Sequence, residues 1–280
     1  MNKLPLPLIS FTESFDATVE GMQDALLQSL IKSRRDELMA ADATMVSLAH
    51  EHRFSEVPTD EGLPPSIQSK HLIDLYDLGM VSRVAGRKLY DKIFASIPDG
   101  RCAYCRQRPI AQLDHFFPKA HYSILSVSPV NLLPVCEGCN KSKLSLVALE
   151  PSQVILNPYF DDLDGCTWLE ADIIPNSHGT VRFKISPDID LPNVFKQRIK
   201  HTFTVLGLGK LYSVAAAAEL SNIRCELSEV HADEGTGGVL RHLHRRRRSA
   251  ESVSLNSWTA AAYRAWEGDL AFHAQGWVLQ

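Results

Sequence analysis

The chain has 280 residues, 45% hydrophobic and 22% charged, with a formal net charge of −4 and six cysteines. That length can bury one large core or two to three small ones, and the charge excludes a global basic field, so nucleic acid would have to be attracted by local patches or a bound cation. No window holds the roughly eighteen uninterrupted apolar residues of a membrane span, and Met1–Leu8 has no basic segment leading into an apolar run. These features predict an intracellular, cytoplasmic protein with no membrane association and with reduced thiols.

In chain order, apolar residues recur at three- and four-residue steps from Phe15 to Arg53, through Val19, Met22, Leu26, Leu30, Ile31, Leu38, Met45 and Leu48, which predicts two helices. A breaker cluster, Pro58, Gly62, Pro64 and Pro65, predicts a loop over 54–66. Two more helices are expected from Ser69 and over Arg83 to Ile97, closed by Pro98-Asp99-Gly100. The centre, to about Leu149, has little periodicity and many metal-type residues. Asn157 to Asp162 reads as a turn, and Trp168–Ile174 with Thr180–Ile185 as a hairpin about Asn176-Ser177-His178-Gly179. Helix returns at Phe195, Ile199, Phe203 and Leu206, breaks at Gly207, and resumes over Leu211–Leu227; His231–Gly238 is expected as a loop, followed by helices over Val239–Ser249 and Ser257–Phe272. The fold class is α+β, mostly helical, in three regions: a helical 1–99, a motif region 100–150, and 151–280 with a hairpin and then helices.

Two Cys-x-x-Cys pairs, Cys102/Cys105 and Cys136/Cys139, occupy the centre. Zinc takes four soft ligands in a tetrahedron, and each such turn presents two thiolates from one knuckle. A closed four-thiolate site is structural, because no position remains for water or substrate. Redox use fits less well, since there are two pairs and no strand-helix context of the thioredoxin kind.

Between and after the pairs stand Leu113-Asp114-His115 with Pro118, then Asn131-Leu-Leu-Pro-Val-Cys136-Glu-Gly-Cys139-Asn140 with Lys141 and Lys143. This order resembles the HNH endonuclease family, ββα-metal fold, in its zinc-knuckle subtype. The resemblance covers about Cys102 to Lys143. It implies Asp114 and Asn140 as ligands of a catalytic Mg²⁺ or Mn²⁺, His115 as general base, Asn131 as the residue that orients the base, and the four cysteines as ligands of structural Zn²⁺. The chemistry agrees: Asp and Asn offer hard oxygen donors, and a neutral imidazole takes a proton from attacking water if a neighbour fixes its tautomer. The third letter of the pattern is Asn140, so the site reads H-N-N.

His121, six residues on, competes as base or ligand, although a solvent-facing loop histidine is the better reading. Lys119, Lys141 and Lys143 are candidate phosphate contacts. The run Arg245 to Arg248 serves equally as a DNA-backbone contact, through Arg245 and Arg246, or as a solvated surface. Trp258, Tyr263 and Trp266 at helical spacing favour core over base stacking. The helical arms, with Asn157–Asp161 and Leu206-Gly207-Leu208, are similar to those of HNH proteins of prokaryotic anti-phage systems, of Septu type or retron-associated, which work with a separate ATPase. This implies a DNA-cleaving defence effector with an ATPase partner, no P-loop being present here. A catalytically weak zinc-knuckle adaptor for nucleic acid or protein is the alternative.

Overall fold

In a computed structural model, residues 3–60, 68–144, 147–148 and 150–278 are described. Gly62, Pro64 and Pro65 of the expected loop lie outside them. The chain is α+β and mostly helical, and it divides into two compact units, Lys3–Asp161 and Asp162–Gln280.

The first unit opens with three helices where the periodicity predicts two: α1 (Phe11–Val19), α2 (Ala25–Lys32) and α3 (Arg35–His50). The extra boundary is set by a side chain, since Asp24 accepts from the amides of Leu26 and Leu27 and so starts α2 afresh. α1 buries Phe11, Phe15 and Val19 at four-residue steps. After α4 (Ser69–Asp74) the chain widens into a π-helical turn over Leu75–Met80, followed by α5 (Val84–Phe94). The turn meets its neighbours backbone to backbone: a Cβ on Gly79 would lie 2.6 Å from the Thr18 carbonyl oxygen, and one on Gly86 would lie 2.3 Å from that of Gly79. The wider turn also presents Tyr76, whose hydroxyl donates to the Leu113 carbonyl.

Strand β1 (Gln112–His115) pairs antiparallel with β2 (Leu132–Val135), with Leu113 opposite Pro134 and His115 opposite Leu132. Helix α6 (Glu137–Lys143) follows directly. Leu113 and Leu132 join the same buried cluster as Phe15, Leu75, Tyr76 and Leu89. The helices before Cys102 and the motif region therefore share one core.

In the second unit, β3 (Leu169–Ile173) and β4 (Val181–Ile185) form the expected hairpin. They are followed by α7 (Asn193–Val205), α8 (Leu208–Val253), α9 (Trp258–Gly268) and a π-helical turn over Phe272–Gly276. Gly207, at φ 60°, separates α7 from α8. The loop expected over 231–238 is replaced by a single broken residue, Gly235, at φ 63° and ψ −163°. On a straight helix Glu226 and Arg246 would stand about 30 Å apart. They meet at 2.9 Å, so α8 doubles back at Gly235 as two antiparallel arms. One glycine suffices because it alone adopts that backbone geometry without a Cβ clash. Tyr263 and Trp266 are buried and Trp258 half-buried, as core use predicts. Among the described residues no single helix is long and apolar enough to cross a membrane.

Candidate metal centre and buried Asp-His pair

The four motif cysteines converge. Cys102, Cys105, Cys136 and Cys139 are all buried, and their sulfurs lie within 4.8 Å of one another. The first knuckle is held by backbone bonds: the Cys102 amide donates to the Arg108 carbonyl, the Ala103 amide to Pro134 on β2, and the Arg106 amide to Cys102. The second knuckle is the start of α6. Cys136 is its N-cap, and its sulfur accepts from the Cys139 amide at 3.3 Å, where helices ordinarily use a hydroxyl or carboxylate.

Cys105 Sγ and Cys136 Sγ stand 3.9 Å apart, far beyond a disulfide bond. Four sulfurs at about 2.3 Å from one zinc would be separated by about 3.8 Å. The donor set and spacing fit zinc, and the four buried cysteines form a cluster that could hold such an ion. The crowded thiols also divide their protons unevenly: hydrogen bonds from Cys102 foremost, then from Cys105 and Cys139, hold Cys136 well below the ordinary thiol range. The remaining cysteines, Cys166 and Cys225, stand outside the cluster.

The tetrad ties β2 and α6 to the chain that enters β1, and so brings the Asp114 carboxylate and the His115 carbonyl against Lys143 of α6, while the His115 ring lies on the other strand face with Leu113. His115 is buried, with its ring edge-on to Tyr76 at 4.4 Å between centroids. Its Nε2 lies 2.8 Å from the Ser126 carbonyl oxygen. A carbonyl only accepts, so Nε2 carries the hydrogen and Nδ1 the lone pair. Burial drives the ring down to about 3, so His115 is neutral throughout the physiological range.

The residue expected to orient His115 does something else. Asn131 is fully buried, and its Oδ1 accepts from the Phe117 amide at 2.7 Å while Nδ2 donates to the carbonyls of Phe117 and Leu125. Its own carbonyl accepts from the Phe116 amide. Asn131 therefore staples the loop between β1 and β2, and the oxygen that meets the imidazole belongs to Ser126 in that loop. Asp60 completes the hold by accepting from the amides of Ser123 and Ile124. Ser126 was not legible as a site residue because it acts through its backbone, which leaves no side-chain signature.

Asp114 is nearly buried, and its Oδ2 accepts no hydrogen bond among the described residues. Burial raises its carboxyl above the ordinary range, and the Lys143 ammonium pulls it back. Lys143, expected as a phosphate contact, is 1% exposed. Its Nζ donates to the His115 carbonyl at 2.6 Å and stands 3.2 Å from Asp114 Oδ2. Asn140 lies one turn earlier on α6, on the same face as Lys143, and is half-buried. Asp114 and Asn140 are oxygen donors of the type a hard divalent cation takes, and Asp114 Oδ2 is here occupied by the Lys143 ammonium.

The other expected nucleic-acid contacts divide. Lys119 is taken up by Asp77 and by the face of the Tyr76 ring, 5.1 Å from its centroid. Arg246 pairs with Glu226, and Arg247 with Glu251 and Glu267. Lys141 and Arg245 remain exposed, as does His121.

No family model matches the chain, and no solved structure does. Among curated proteins it is similar to Protein ea31 of Escherichia phage lambda, 24% identical over 237 residues that cover 80% of this chain and 79% of that protein.

Proposed function

We propose that the Lys3–Asp161 unit is a metal-dependent HNH-type endonuclease that hydrolyses phosphodiester bonds in DNA. One observation carries the reading: a cysteine cluster gathers a two-stranded sheet and a helix so that Asp114 and the His115 carbonyl on β1 meet Lys143 of α6, one turn after Asn140. Zinc at the cysteines would be structural. A divalent Mg²⁺ or Mn²⁺ held by Asp114 and Asn140 would stabilise negative charge on the scissile phosphate and the leaving oxygen.

In this reading His115, fixed in one tautomer by the Ser126 carbonyl, offers its Nδ1 lone pair to the attacking water, and the anionic phosphate would have to raise a basicity that burial lowers. Asn131 sets that geometry indirectly by holding the loop that carries Ser126. Lys141, exposed on α6, is the phosphate contact we retain within this unit. A role as the nuclease effector of an anti-phage system, licensed by a separate ATPase, rests on the resemblance of the motif and its arms alone.

The test is plasmid cleavage with Mg²⁺ or Mn²⁺ by the zinc-loaded protein, with its ATPase neighbour where one is encoded. Wild type should nick and His115→Ala should lose at least about a hundredfold in rate. Equal cleavage by both, or none by wild type in any of these conditions, refutes the reading and favours a binding module.

A further inference from the structure

Lys143 is the group that the proposed chemistry does not use. A lysine is almost never fully buried without a partner, because removing an ammonium from water is costly. Here the ammonium lies at the meeting point of β1 and α6, donating to the His115 carbonyl at 2.6 Å and standing 3.2 Å from Asp114 Oδ2. Its one strong hydrogen bond goes to the carbonyl. The carboxylate oxygen beside it holds the ammonium chiefly by charge, in a longer and less well aligned contact. Lys119, the other nearby cation, is committed to Asp77.

We propose that Lys143 is the resident counter-ion of Asp114: its ammonium neutralises the carboxylate when no divalent cation is bound, and it must move off Oδ2 for one to bind there. This inference rests on the nuclease reading above and adds to it a competition between ammonium and metal for one buried oxygen. Two cations cannot share that oxygen closely in a site this dry, because their mutual repulsion is scarcely screened. The bond to the His115 carbonyl gives Nζ a place to stay while the Asp114 contact opens. Lys143 is thus a positioning residue for Asp114 and for the His115 backbone.

Lys143→Gln separates these two roles, since a neutral amide still donates to the His115 carbonyl but no longer competes for Asp114. Mn²⁺ affinity, read by the loss of the free-ion electron paramagnetic resonance signal, should be about tenfold tighter in Lys143→Gln than in wild type, about 1.4 kcal/mol. Zinc content checks that the variant is folded. On wild-type protein carrying ¹⁵N-lysine, one buried Nζ resonance should shift on saturation with Mg²⁺, a measurement that needs no variant to fold. Unchanged or weaker Mn²⁺ binding in a zinc-loaded Lys143→Gln, or an unmoved Nζ resonance in Mg²⁺-saturated wild type, overturns the counter-ion role and leaves the nuclease reading standing. Absence of Mn²⁺ binding in wild type and Lys143→Gln alike overturns both.

Discussion

The two units bury different polar chemistry. In Lys3–Asp161 the polar chemistry is inside: four cysteines, Asn131, His115 and Lys143 are each at most 6% exposed. In Asp162–Gln280 many charges meet in ion pairs at or near the surface, such as Arg246 with Glu226 and Lys184 with Asp172, while Arg198 is buried beside the Phe195 ring. Buried polar groups there serve the scaffold, as when Asn256 accepts from the amides of Trp168 and Leu169 and Trp266 donates to the Gly179 carbonyl. Burying a polar group unpaired costs several kcal/mol, whereas a surface pair contributes little. The contrast teaches that the first unit is organised around a site and the second around a fold.

The sharpest break of that contrast is Cys136→Ser. The hydroxyl still caps α6, so the substitution isolates the metal contribution. Structural zinc contributes about 10–16 kcal/mol in small zinc domains, and the variant should lose zinc and the β1–β2–α6 region while the second unit keeps its helices. Elemental analysis with circular dichroism reads this; full zinc and an unchanged melt would contradict it.

Asn131→Ala comes next. It removes three side-chain hydrogen bonds from a fully buried position, leaving the Phe117 amide and carbonyl without these partners while the Leu125 carbonyl keeps the Ser128 amide, at a cost of about 3 kcal/mol. Urea titration should show this loss, and a change below about 1 kcal/mol would mean that the loop is held otherwise.

His115 gives a pH signature. Its folded value near 3 lies below the ordinary 6.5, so between these pH values the unfolded chain binds a proton that the folded one refuses. Stability should therefore be unaffected by this group above pH 6.5 and fall by about 1.4 kcal/mol per pH unit below it. His115→Gln should remove that slope, and titration curves that stay parallel for the two proteins would show the ring to be accessible to protons.

The smallest effect is expected in the second unit. Arg246→Ala breaks a pair whose members are each nearly half exposed, and it should cost no more than about 1 kcal/mol in thermal melting. A larger loss would show that the arginine run holds the arms of α8 together.

Much of the site was legible in one dimension because its chemistry depends on residue type at short spacing. A Cys-x-x-Cys turn places two sulfurs together whatever surrounds it, and alternation along β1 predicts that Leu113 and His115 share a face. The β3–β4 hairpin and the break at Gly207 were legible for the same local reason. Less local facts were not. That Lys143 is buried, that Lys119 and Arg246 are already paired, and that α8 returns on itself at Gly235 all depend on which surface a helix is folded against.

The amino-acid order alone determined the cysteine knuckles and most helix and strand positions, because propensity, periodicity and ligand type act over a few residues. Only the tertiary structure decided that Ser126, not Asn131, meets the imidazole, and that an ammonium rests against Asp114. Those partners lie eleven and twenty-nine positions apart in the chain, and packing alone sets which backbone oxygen or side chain reaches a buried ring or carboxylate.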